Sequence, residues 1–184
     1  MENEKDWINV YLAEYEKLKD EQIARIGFRD NLLYVTLGIF GAIISFVASN
    51  TSDFYGVLVL PLVCIVLGWT YLVNDEKITA IGFYVQTEIS QKINSLFQTI
   101  SGNAFYWEDF NRLNRGRKRR KINQFIVNEL SFVFSGISSL IAFLCLQKDI
   151  SHLVYVIVIL EFIGLLILGV EFFVYADFFN NSET

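Results

Sequence analysis

Leu153 to Ala176, LVYVIVILEFIGLLILGVEFFVYA, is the stretch whose reading decides the fold. As a helix, this apolar run extends roughly 36 Å, enough to cross a bilayer with some tilt. Two glutamates interrupt it, Glu161 well inside and Glu171 near one end. A carboxylate at that depth costs about 3 kcal/mol or more, so it is expected to face protein or water rather than lipid.

Composition agrees. With 53% hydrophobic and only 19% charged residues and a mean hydropathy of +0.40, the chain carries too little charge for a soluble domain of its size. Its single proline, Pro61, and its long apolar runs point to helices rather than barrel strands. Cys64 and Cys145 sit in apolar runs and behave as small hydrophobes, and His152 is the one histidine. Neither a metal site nor a nucleophilic catalytic pair has its usual parts, so no cofactor, no metal and no conventional enzyme is expected. The first apolar run follows some thirty charged-rich residues, the wrong order for a cleaved leader.

From the decisive run outward, three further spans emerge. The third covers about Ile126 to Leu146, with Ser131, Ser135, Ser139 and Ala142 as a small, polar stripe and Asn128 and Glu129 at its entry. Lys148 to His152 is the short turn into the fourth. The second runs from about Phe54 to Val73, with Pro61 as an expected kink and Trp69 and Tyr71 as interfacial anchors. The first covers about Leu32 to Ser49, where Gly38/Ala42 and Gly41/Ser45 let a neighbouring helix approach closely.

The expected fold is an all-α integral membrane protein: four transmembrane helices in two hairpins plus cytoplasmic amphipathic helices, assembled as a homo-oligomer. Residues 1–31 read as a cytoplasmic amphipathic helix, with Ile8, Tyr11, Tyr15, Leu18, Ile23 and Ile26 as its apolar positions. It serves either as a membrane or oligomer contact or, the favoured reading, as a helix packed on the protein's own cytoplasmic part. Residues 32–73 form the first transmembrane hairpin, 126–176 the second, and 177–184 a cytoplasmic tail. Between the hairpins, 74–125 holds a second amphipathic helix, stepping through Ile78, Ile81, Val85, Ile89, Ile93, Leu96 and Ile100. Arg25, Arg29 and Asp30 then fall near Asn74 to Lys77 at the headgroup level, where exposed pairs add little stability.

A basic–aromatic segment closes the middle region. Phe105, Tyr106, Trp107 and Phe110 precede Arg112, Arg115, Arg117, Lys118, Arg119, Arg120 and Lys121. Rings that stack bases beside cations that track phosphates suit single-stranded nucleic acid. A basic cluster before a span is also the ordinary topology determinant and attracts anionic lipid. The basic residues divide as five before the first span, nine from Lys77 to Lys121 and one in the Lys148 turn. Positive-inside placement then puts both termini and the middle segment in the cytoplasm.

That topology sets Glu129 and Glu171 near the inner boundary and Glu161 about 15 Å deeper. No lysine or arginine lies inside a span, so these acids either stay protonated or meet water and cations. An oligomer could ring them around an axis that attracts cations, with Glu129, Ser131, Ser135, Ser139, Glu161 and Glu171 as candidate pore-lining residues. The alternative is a protonated Glu161, hydrogen-bonded between helices.

Two stretches, EQIARIGFRDNLLYVTLG (Glu21 to Gly38) and LPLVCIVLGWTYLVNDEKITAIG (Leu60 to Gly82), resemble a family of small bacterial integral membrane proteins that includes the transmembrane effectors of the Hailong anti-phage defence system. The resemblance covers about the first hundred residues, and the rest mainly by topology. It implies an oligomeric ion channel in the bacterial inner membrane, held shut by single-stranded DNA from a partner nucleotidyltransferase. The basic–aromatic segment would then be a natural DNA contact. No pore or DNA-binding residue carries over individually. Two-span defence effectors share the hairpin-plus-cytoplasmic-helix plan with fewer spans.

Overall fold

The computed structural model describes residues 2–49, 54–96 and 116–176, with side chains for 5–49, 54–96, 116 and 119–176. Among these, every regular element is a helix. Helix α1 is Glu2–Ser49; a 3-10 turn, Tyr55–Leu58, leads into α2, Val59–Tyr84. A π-helical turn, Val85–Ile89, joins α2 to α3, Ser90–Leu96. Helix α4 is Arg117–Asn128, followed by a second π-helical turn, Glu129–Phe134, then α5, Ser135–Leu146, and α6, His152–Tyr175. Four of the continuous helical stretches are long and apolar enough to cross a membrane, which by length and composition makes this a multi-pass membrane protein.

The chain divides into two compact units. The first is Met1–Phe28 with Asn74–Lys118, the second Arg29–Val73 with Arg119–Thr184.

In the first unit, Ile81, Val85, Ile89 and Ile93 are buried against Tyr11, Tyr15 and Leu18. Of the two readings of the amino-terminal helix, packing on another helix of its own chain is what is seen. Polar bonds continue the contact: Gln22 Nε2 donates to the Ile78 carbonyl at 3.1 Å and Arg25 Nη1 to Asn74 Oδ1 at 3.3 Å. The contact face of α1 thus follows Tyr11, Tyr15, Leu18, Gln22 and Arg25, alternating steps of four and three. Ile23 and Ile26 leave it, at 68% and 37% exposure, contrary to the expected phase. A strict 3–4 repeat passes over both positions, and their apolar character alone did not reveal it.

The second unit has two apolar clusters. One gathers Val47, Val57, Leu60, Cys64, Leu140, Phe143, Val158 and Leu165; the other Leu32, Tyr71, Leu72, Phe132, Val133, Leu168 and Phe172. Glycine brings these helices close. A Cβ at Gly68 would stand 2.6 Å from Leu168 Cδ2, and one at Gly136 2.6 Å from Leu165 Cδ2.

Three sequence expectations change here. Pro61 lies in the first turn of α2, just after the 3-10 turn, where its missing N–H breaks little of the ladder, rather than in the interior of a span. Tyr71 is no interfacial anchor, being 3% exposed among Phe132 and Phe172, with ring centroids 5.5 and 6.3 Å away. Trp69, by contrast, is 44% exposed. A Cβ at Gly38 or Gly41 would meet nothing within 4 Å, so the close approach expected there is not made among the described residues.

Candidate functional site

The polar groups of the second unit fall into two levels. The deeper one is Glu161. On α6 the packed face is drawn by Val158, Leu165, Leu168 and Phe172, and Glu161 lies in the middle of that face. Its Oε2 is buried and has no hydrogen-bond partner. An unsatisfied acid oxygen in an apolar helix face is costly, and packing alone gives no reason for it. Of the serine stripe, Ser139 is buried and its Oγ donates 2.7 Å to the Gly136 carbonyl. Ser135 Oγ donates 2.7 Å to the Leu130 carbonyl, and Ser131 is half-buried. Two of the three hydroxyls are therefore engaged by their own helix.

The second level surrounds the start of the π turn at Glu129. The Glu129 carboxylate lies against α6, so that a Cβ on Gly169 would stand 3.4 Å from its Oε2. Beside it Asn128 is 6% exposed, and its Oδ1 is buried without a partner. One turn earlier, Gln124 Nε2 donates to the Tyr71 hydroxyl at 3.5 Å, and the Arg29 guanidinium sits 5.8 Å from the Tyr71 ring centroid. Glu171 is half-buried on α6. Gln124 and Tyr71 were missed as members of this level. The available signal was the i, i+4 spacing of Gln124 and Asn128 in a segment whose other faces are apolar.

This stretch is turned inside out relative to a soluble helix. Lys121, Gln124 and Asn128 face inward to differing degrees, whereas Ile122, Ile126, Val127 and Leu130 are exposed. In lipid such a face is consistent, because the apolar side meets hydrocarbon and the polar side meets protein.

Of the basic–aromatic candidates, Tyr106, Trp107, Arg112 and Arg115 lie outside the described residues. Arg117 and Lys118 begin α4, with their side chains outside the description. Arg119 and Arg120 are exposed, and Lys121 is half-buried. The first turn of α4 holds no acidic residue, so a run of cations stands at the positive end of the helix dipole. Among the described residues no group of three or more His, Cys, Asp or Glu side chains is placed to hold a metal. At the other end of the second unit, the Phe54 N–H donates to Gln147 Oε1 at 3.4 Å and the Tyr55 hydroxyl to the Asp149 carbonyl at 3.2 Å.

No known family, curated protein or solved structure matches the chain.

Proposed function

We propose that this protein is an oligomeric gated ion channel or membrane-permeabilising effector of bacterial anti-phage defence. In this reading four spans form two hairpins in the inner membrane, with both termini and the middle segment in the cytoplasm. A cytoplasmic ligand at the basic–aromatic segment holds the assembly closed or opens it, single-stranded DNA from a nucleotidyltransferase-like partner being the ligand the family resemblance suggests. The observation that carries the reading is the Glu161 oxygen, buried and unpartnered inside a span. Intramembrane acids without a structural partner mark ion or proton pathways.

Glu161 lies on the packed face of its own subunit, so a path past it runs between helices of one chain and needs them to part. The same placement favours a second reading, a non-conducting membrane anchor or scaffold for a cytoplasmic partner. Purified protein in liposomes separates the two. For a channel, Glu161→Gln is expected to change cation flux or selectivity at least severalfold. Liposomes that hold their ion gradient with and without oligonucleotide, for wild type and variant alike, would leave the scaffold standing.

A further inference from the structure

The π turn at Glu129–Phe134 interrupts a pattern that would be continuous without it. Ile122, Phe125, Glu129, Phe132, Gly136, Ser139 and Phe143 are spaced 3-4-3-4-3-4. On an unbroken α-helix that repeat is one stripe, and from Phe132 onward its members Phe132, Gly136, Ser139 and Phe143 are buried. Before Phe132 the stripe shifts: Asn128 becomes its buried member, Gln124, Phe125 and Glu129 are half-buried, and Ile122 is exposed. A π turn has about 4.4 residues per turn against 3.6, so six such residues set α4 back by roughly 100°. That lag brings Gln124 and Asn128 to the packed side and leaves Ile122 37% exposed.

The observed register has identifiable costs. Asn128 Oδ1 is buried and unsatisfied. A π turn has weaker backbone bonding than an α turn, offset here by the Ser135 hydroxyl bonded five residues back to the Leu130 carbonyl. The unbroken α register removes both costs but turns Glu129 from the edge of the packed face, against Gly169, to its centre, which is costly for a carboxylate. Opposing costs of similar kind make two registers competitive. Gly169, with no side chain to obstruct, is what Glu129 passes.

We infer that Glu129–Phe134 is a register switch between a π and an α turn, which exchanges Gln124 and Asn128 for Ile122 on the packed face of the second unit and turns Phe125 and Glu129 from its edge to its centre. Turning α4 moves Glu129 within the bundle. Coupling of this rotation to ion flow rests on the channel reading; the rotation itself does not.

The test therefore reads rotation directly. In full-length protein with Cys64→Ala and Cys145→Ala, single cysteines are placed by Asn128→Cys or by Ile122→Cys, and their rates of labelling with a small water-soluble maleimide are measured in detergent micelles. Ser135→Ala, which strips the hydroxyl from the Leu130 carbonyl, is expected to speed labelling at 128 about tenfold and to slow it at 122 by a similar factor. Deleting Ser131 instead removes the extra residue while keeping the present facing, and should hold 128 slow and 122 fast whether or not Ser135 is replaced. Reciprocal change supports the switch. Rates that rise together, as in a loosened helix, or that do not respond to Ser135→Ala, overturn it. Liposomes that show no flux beside a reciprocal labelling change would remove the channel reading and leave the switch in place.

Discussion

Among the described residues are two π turns, and their surroundings differ. Val85–Ile89 lies in a mainly apolar contact: Ile81, Val85, Ile89 and Ile93 are all buried, each four residues from the next, with Ser90 as the buried polar neighbour. Three steps of four drift about 120° around an α-helix, and the wider turn takes up that drift, so all four residues stay on one face. Glu129–Phe134 does the reverse. It breaks a 3-4 stripe and turns a polar face inward, leaving Asn128 unsatisfied. One backbone device therefore aligns a core in the first unit and misaligns one in the second. The chemistry around such a turn, rather than the turn itself, distinguishes a structural feature from a functional one.

Substitutions can break this contrast. Ile89→Ala is expected to cost the first unit about 2–5 kcal/mol, because a fully buried side chain leaves a cavity in an otherwise continuous apolar contact. Amide exchange over residues 81–93 would show it, and unchanged protection there would refute a structural role for that turn. At the second turn the sign is opposite. Asn128→Leu removes the buried orphan acceptor and should raise the thermal midpoint in detergent, equivalent to about 1–3 kcal/mol. A fall of that size would show that the amide has a partner the contrast denies it.

Smaller effects sharpen the picture of the first unit. The Tyr84 hydroxyl donates to Glu14 Oε1 at 2.9 Å, and that bond is the main cause holding the phenol above its ordinary pKa of 10.0. A group whose folded pKa is raised stabilises fully below its unfolded value and loses that contribution as pH rises through the folded one. Tyr84→Phe should therefore cost about 0.5 kcal/mol near neutral pH and lack the wild type's loss of stability above pH 10, read by melting across that range. Ile23→Ser, on the exposed side of α1, should shift stability by no more than about 0.5 kcal/mol. A larger loss there would mean that something covers this side of the helix.

Much of the second amphipathic helix was legible in the chain, since Ile81, Val85, Ile89 and Ile93 repeat at helical spacing and are buried together in the contact, while Ile78 meets it through its carbonyl. The partner face of α1 was half legible. Tyr11, Tyr15 and Leu18 were read correctly, but Gln22 and Arg25 complete it through hydrogen bonds, to which a hydrophobic pattern is blind. Tyr71 shows a related limit. Near the end of a span a tyrosine reads as an anchor, yet the Phe132 and Phe172 rings and the Gln124 amide enclose it.

The amino-acid order by itself determined the four long apolar helices, because their length and lack of charge leave few other ways to satisfy the backbone. It also determined that Glu161 lies deep in one of them, since depth follows from counting residues along a helix. Tertiary structure alone decided which face each acid takes. Facing depends on helix phase, and an extra residue in a single turn resets phase by roughly 100° without altering composition or mean hydropathy. That is why Glu129 could be placed by depth but not by direction, and why Asn128 became the buried group that reports on its turn.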